Sequence, residues 1–279
     1  MGLPCILLEI MKRVITAVVL IPLVLLLLLK GTFLLLVLAA ALVAELAAWE
    51  YLSIADIQGF RRTLILIAIA VLFSASFTSP TLILPAIGLC SMVILVVCSF
   101  RSSLERVLPE VAFSVFGLLY CGLTMATLPL IWVQADGPSL LVFLFCVVWI
   151  GDTAALYVGR SFGRHKLAPR ISPNKTWEGS AASLAGSLLI AAGLVALARL
   201  GTLHFAGPMI RWLILAAVLN VFAQVGDLVE SAIKRGAGVK DSGAMLPGHG
   251  GILDRIDALL LAAPALWYAQ WIQQYFKAG

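Results

Sequence analysis

The sequence predicts an all-α fold, a polytopic integral membrane bundle of about nine transmembrane helices, and three observations lead there. Of 279 residues, 62% are hydrophobic and 12% charged, against roughly 45–50% and about 25% in ordinary soluble domains. Apolar stretches near the roughly 20 residues needed to cross the hydrocarbon layer recur from the first dozen residues to the last. The basic residues between those stretches fall mostly on one side of the resulting topology. On this reading the chain is one membrane unit with no soluble domain attached.

Breaking the apolar runs at Gly, Pro and charge clusters gives helices over 14–29, 33–54, 64–78, 82–100, 111–133, 140–158, 180–198, 212–233 and 252–276. The third is short for a span, so a count of eight is the alternative. Lys12-Arg13 before the first run resembles the start of a signal peptide. Lys30-Gly31 leads straight into another span rather than a cleavage site and a polar chain, so the first helix is read as retained. Met11 would also serve as a start, which leaves residues 1–10 without a role.

With nine helices, fifteen of the 19 Lys and Arg lie on one side; Lys30, Arg199, Arg211 and Lys277 lie on the other. The N-terminus and the long polar loops are therefore expected in the cytoplasm and the C-terminus opposite. The net charge of +5 is explained by this asymmetry, and no nucleic-acid partner is expected. The cysteines, Cys5, Cys90, Cys98, Cys121 and Cys146, show no C-x-x-C pair and read as small core residues.

Residues 1–135 read as a scaffold of N-terminal transmembrane helices. Their membrane or interfacial carboxylates are Glu45, Glu50 and Asp56; Glu45 lies deepest, and helix–helix hydrogen bonding competes with a functional role for it. Trp49 and Tyr51 flank Glu50 as an interfacial anchor would. Residues 136–279 read as the catalytic transmembrane region, because acids now sit within or at the ends of apolar helices. A carboxylate at a span's centre costs on the order of 2.5–3.5 kcal/mol on insertion scales, so a cluster implies a partner or a function.

The first polar segment carries Asp152, then Gly159, Arg160, Gly163, Arg164, His165 and Lys166, then Ile171-Ser172-Pro173-Asn174-Lys175-Thr176-Trp177-Glu178-Gly179. Ser172-Pro173 can open a turn and Thr176 can cap the seventh helix, which places Lys175 and backbone N–H groups at its positive end as a phosphate cradle. It is not a Walker loop; a basic loop that only fixes topology is the alternative, against which Asp152 argues, because a lone carboxylate one or two turns inside a span needs a cation. In the second segment Asp227, Glu230, Ser231 and Lys234 fall at i, i+3, i+4 and i+7, one helical stripe; Asp254 and Asp257 share a face of the next helix. Gly248, Gly250 and Gly251 before that helix permit close backbone approach, and His249 is either a proton donor or phosphate contact, or a residue holding the turn. Oxygen ligands beside Lys and Arg suit a hard cation such as Mg²⁺. A hairpin zipped by its own ion pairs is the structural alternative, although apolar residues would build it more cheaply in lipid.

The run Ser231-x-Ile233-Lys234-Arg235-x4-Lys240-Asp241-x-Gly243-x2-Leu246-Pro247-x-His249-Gly250-Gly251-Ile252-x-Asp254-Arg255-Ile256-Asp257 resembles the signature of the phosphatidate cytidylyltransferases, or CDP-diacylglycerol synthases. Gly151-Asp152-Thr153-Ala154 and the Ile171–Gly179 stretch are similar to the same family, and the many-helix layout extends the likeness over most of the chain. The resemblance implies Mg²⁺-dependent conversion of CTP and phosphatidic acid to CDP-diacylglycerol and pyrophosphate, at the cell inner membrane, in phospholipid biosynthesis. On it, Asp227, Asp254 and Asp257, with Ser231 as a further oxygen ligand, hold Mg²⁺ and any second cation. Lys175, Lys234, Arg235, Lys240 and Arg255 neutralise the phosphates, with Asp241 and His249 also in the catalytic set. Asp152, Ser172, Lys175, Thr176, Glu178, Gly250 and Gly251 bind substrate. The expected partners are the two substrates and the bilayer, and a homodimer is compatible with the scaffold half. Two other readings stay open: another CTP-dependent lipid enzyme of the polyprenol kinase type, and an ion-coupled secondary transporter.

Overall fold

The computed structural model describes residues 20–198, 201, 203–243 and 250–278. The start of the first helix, Lys12, Arg13, Cys5, Arg199 and His249 lie outside the described residues. Nine helices are present among the described residues: α1 (Leu20–Lys30), α2 (Phe33–Ile54), α3 (Gly59–Thr78) and α4 (Ile83–Arg101), α5 (Val107–Trp132) and α6 (Gly137–Phe162), α7 (Trp177–Leu197), α8 (Met209–Gly236) and α9 (Leu253–Ala278). Seven of them, α2 to α8, are long and apolar enough to cross a membrane. The chain is thus an all-α polytopic membrane bundle.

Local chemistry sets several boundaries. Thr32 begins α2 by accepting a hydrogen bond from Leu35 N at 3.3 Å, and Thr176 begins α7 by accepting one from Gly179 N at 3.1 Å. The cap expected at Thr176 is therefore present, and the helix starts three residues before the apolar run. α3 reaches 20 residues because Gly59, Phe60, Arg61, Arg62 and Thr63 join it; the span expected over 64–78 is short because it stops after the two arginines. Inside α5, Leu118–Leu123 form a π-helical turn, and Thr127 Oγ1 donates to Thr124 O at 2.5 Å ahead of Pro129. Side-chain hydroxyls meet backbone groups where a helix in lipid departs from regular bonding.

The connection after α6 differs from the loop expected there. α6 continues to Phe162, and Lys166–Ala168 (β1) pairs antiparallel with Ser172–Thr176 (β2) in a two-stranded ribbon. Pro173 is tolerated because a two-stranded ribbon has only edges.

α6 and α7 pack most extensively, and α8 joins both α7 and α9. α9 also contacts α2, α5 and α6, and its Leu253, Ala258, Leu260, Ala262, Ala263 and Leu266 are buried. Leu84, Met92, Phe100 and Leu189 stand exposed on the outside, where lipid tails are the solvent. Cys90, Cys98 and Cys121 are free and buried, as core residues should be.

α7 and α8 are also joined by polar groups. Asn220 Nδ2 donates to Ser183 Oγ at 2.8 Å and Ser187 Oγ at 2.9 Å; Gln224 Nε2 donates to Asn220 Oδ1 at 2.6 Å, and Ser180 Oγ to Gln224 Oε1 at 2.5 Å. The row ends where the polar cavity begins.

Candidate active site

The ends of α6, α7, α8 and α9 and the ribbon surround a cavity of about 840 Å³. α6 contributes Asp152, α8 Asp227, and α9 Asp254 and Asp257; Lys175 comes from β2, Lys166 from β1 and Arg160 from the end of α6. The helical spacing accounts for α8 and α9, since Asp227 and Asp257 lie on the stripes that face each other across a close crossing. A Cβ at Gly226 would come within 2.6 Å of Asp257 O and 3.4 Å of Ala258 Cα. Glycine at 226 is what lets the two acids share one wall.

Asp152, Asp227 and Asp257 lie close enough to repel one another electrostatically. Lys175 Nζ offsets part of this by pairing with Asp227 Oδ2, and Ser231 Oγ donates to Asp227 Oδ1 at 3.5 Å. Asp257 Oδ1 accepts from Ala258 N at 2.7 Å. These groups are oxygen ligands beside a cation, and among the described residues no His or Cys lines the cavity.

Beside the cavity Lys234 holds a second, drier cluster. Its Nζ lies 2.6 Å from Glu230 Oε2 and 2.5 Å from Asp254 Oδ1, with the Lys234, Glu230 and Asp254 side chains 11%, 1% and 13% exposed. The Glu230 contact is an ion contact rather than an aligned hydrogen bond. Asp254 also accepts from Ser242 N at 3.1 Å and Gly251 N at 2.9 Å, so both of its oxygens are engaged. Its bond to Gly251 N, three residues back, is the backbone-capping half of a capping box.

Other residues singled out in the sequence are distributed as follows. Ser172 and Thr176 line the cavity. Glu178 is off the cavity wall: its carboxylate accepts from Arg164 N at 3.1 Å and His165 N at 3.2 Å and meets His165 Nδ1 at 2.6 Å, which clasps the ribbon to α7. Arg235 is exposed and donates to Val239 O at 3.1 Å and Ile171 O at 3.4 Å. Lys240, Asp241 and Arg255 are exposed and off the wall; Gly250 has φ +74°, and with Gly251 it leads into α9.

Several cavity residues escaped the sequence reading. Ser180, Ser183, Gln224 and Asn174 line it. Gln224 lies three residues before Asp227 on the same stripe, so the 3.6-residue period already marked it. The anchor reading of Trp49 and Tyr51 is half corrected: Trp49 is exposed with the Arg62 guanidinium 4.4 Å over its ring, whereas Tyr51 and Glu50 are buried.

Residues 11–272 match the model of the cytidylyltransferase family. The chain belongs to that family. Among its relatives, a protein of Brucella suis biovar 1 named phosphatidate cytidylyltransferase is 46% identical over 158 residues, 54% of each chain; the match spans about half the length of that relative. Proteins of the same name match almost end to end: that of Pseudomonas aeruginosa is 38% identical over 93% of this chain and 98% of its own, and that of Staphylococcus aureus (strain COL) 35% identical over 91% and 96%. The family match takes in the scaffold helices as well as the cavity.

Proposed function

We propose that this chain transfers the cytidylyl group of CTP to phosphatidic acid, forming CDP-diacylglycerol and releasing pyrophosphate. The observation that carries the proposal is the cavity, where carboxylates from three helices meet Lys175, Lys166 and Arg160 at the polar ends of apolar helices. A phosphate oxygen of phosphatidic acid attacks the α-phosphorus of CTP, and the bond to the β-phosphate oxygen breaks. The nucleophile is already anionic, so no strong base is required. The barrier lies in bringing two anions together, which makes positioning and charge neutralisation the main catalytic terms.

The donor set fits Mg²⁺. Among the described residues no three His, Cys, Asp or Glu side chains form a ready cage, and Mg²⁺ characteristically takes one or two carboxylates and completes its shell with water and substrate phosphate. Asp227 and Asp257 would hold it, with Ser231 and Asp152 as nearby oxygens. The ion would supply charge neutralisation at the triphosphate. Asp254, whose oxygens are engaged by Lys234, Ser242 and Gly251, fits better as the residue that orders the start of α9. Lys175, Lys166 and Arg160 bind phosphate oxygens, and Ser172, Asn174 and Thr176 line the cavity from the ribbon. Arg235, Glu178 and Gly251 hold the surrounding segments in place.

The same reading puts α1 and α9 in the bilayer as the first and ninth spans, the cavity in the cytoplasm and the C-terminus opposite, in the cell inner membrane. The basic-residue asymmetry and the apolar exterior support it. CTP then arrives from water while the acyl tails stay in lipid. Purified protein in detergent, given phosphatidic acid and CTP labelled on either the α- or the γ-phosphate, tests the reaction. The expected result is α-label in lipid and γ-label in pyrophosphate; γ-label in lipid would indicate a kinase of the polyprenol type, and no lipid label would overturn the transferase reading.

A further inference from the structure

Glu50, on α2, lies outside the catalytic half of the chain yet reaches the start of α9. It is 3% exposed, and its Oε2 accepts hydrogen bonds from Ser242 Oγ at 3.0 Å and from Leu253 N at 2.9 Å. Ser242 Oγ in turn accepts from Asp254 N at 3.3 Å, while Ser242 N donates to Asp254. Asp254 meets Lys234, and Lys234 meets Glu230. A continuous chain of charge and hydrogen bonds therefore runs from α2 to α9 and on to α8.

Local capping does not require this arrangement. Asp254 already serves Gly251 N, and a Ser or Asp next to Leu253 would satisfy its first-turn N–H without burying a distant acid. A buried carboxylate is costly unless its bonds compensate, and Glu50 Oε1 has no partner among the described residues. The backbone has also been shaped around the group: a Cβ at Gly243 or Gly251 would collide with the Glu50 carboxylate. What Glu50 adds to a helix that is already capped is a fixed link to α2, strengthened by the positive end of the α9 dipole.

We propose that Glu50 is a positioning residue for the transfer reaction: it caps α9 from another helix and, through Ser242, sets the rotation that presents Asp257 to the cavity one turn later. The inference rests on the cytidylyltransferase reading for its kinetic consequence but not for its structural one. Glu50→Asp withdraws the carboxylate by one methylene, Glu50→Gln keeps an oxygen acceptor at the same reach, and Ser242→Ala removes the bridge from the other side. In full-length protein in detergent, Glu50→Asp should lower kcat by about tenfold or more, with KM for CTP held within about threefold. Glu50→Gln should recover most of that loss. Adding Ser242→Ala to Glu50→Asp should cost little more, because both remove one link. Amide hydrogen exchange over residues 250–257 should speed up by about tenfold in Glu50→Asp and remain near wild type in Glu50→Gln.

A role confined to general stability would reduce the yield of folded protein while leaving kcat per folded molecule and exchange at 250–257 unchanged, and that result overturns the proposal. So does a loss carried wholly by KM. If Glu50→Asp does not fold, Ser242→Ala reads the same link with the same expected losses. If wild-type protein forms no cytidine-labelled lipid, the functional reading fails, and the exchange comparison still decides whether Glu50 orders α9.

Discussion

Lys234 stands between two acids with little water to help, which gives its removal a calculable effect. At 2.5 Å from Asp254 and 2.6 Å from Glu230, each contact has a Coulomb energy of about 6 kcal/mol at an effective dielectric constant near 20. Most of that is offset by the cost of burying the three charges, so the measurable quantity is the penalty for leaving the acids unpaired, about 3–5 kcal/mol. Lys234→Met keeps the length and apolar stem of the side chain and removes the charge. At roughly 2–4 °C per kcal/mol for chains of comparable size, melting should fall by about 10 °C. The buried free thiols Cys90, Cys98 and Cys121 provide the assay, since a thiol-reactive fluorophore reports their exposure during a thermal ramp in detergent. Adding Glu230→Gln removes one of the two stranded charges and should restore about half of the lost melting temperature. A Lys234→Met protein that melts within about 2 °C of wild type, or one that Glu230→Gln fails to improve, refutes the reasoning.

Three further outcomes follow from the same geometry. Gly226→Ala places a methyl group against Asp257 O and pushes α8 from α9; turnover should fall by about 100-fold while the protein remains folded in the thiol assay. Asn220→Leu removes the centre of the α7–α8 polar row and should lower stability by about 1 kcal/mol, seen as a melting shift of a few degrees with CTP affinity unchanged. Lys175→Met frees Asp227 from its cation. Mn²⁺ affinity of the substrate-free protein, read by electron paramagnetic resonance, should rise by about tenfold while kcat with CTP and phosphatidic acid falls.

The many-helix membrane architecture was legible because hydropathy is a property of long segments, insensitive to a few residues at either end. The cavity acids were legible for a different reason: Asp227 with Ser231, and Asp254 with Asp257, follow the helical period, and Asp152 is conspicuous in an apolar run. Glu50 escaped because its partners are 192 and 203 positions away, and its aromatic neighbours suggested an interface. The period could not separate Asp257 from Asp254: both line the cavity, but the bonds of Asp254 to Lys234, Ser242 and Gly251 occupy its oxygens, and only the fold reveals those partners. The ribbon was hidden by Pro173 and by the shortness of its strands, and Glu178 could be placed only once the ribbon brought His165 beside it.

The central claim is that the acids of this cavity carry out the transfer, and Asp257→Asn tests it most directly, since it keeps size and shape and removes one charge. Turnover of CTP and phosphatidic acid is measured across a Mg²⁺ titration for wild type and variant, with folding checked by the thiol ramp. The expected result is a folded protein whose turnover falls by at least about 100-fold. Near-wild-type turnover with an unchanged Mg²⁺ dependence would contradict it.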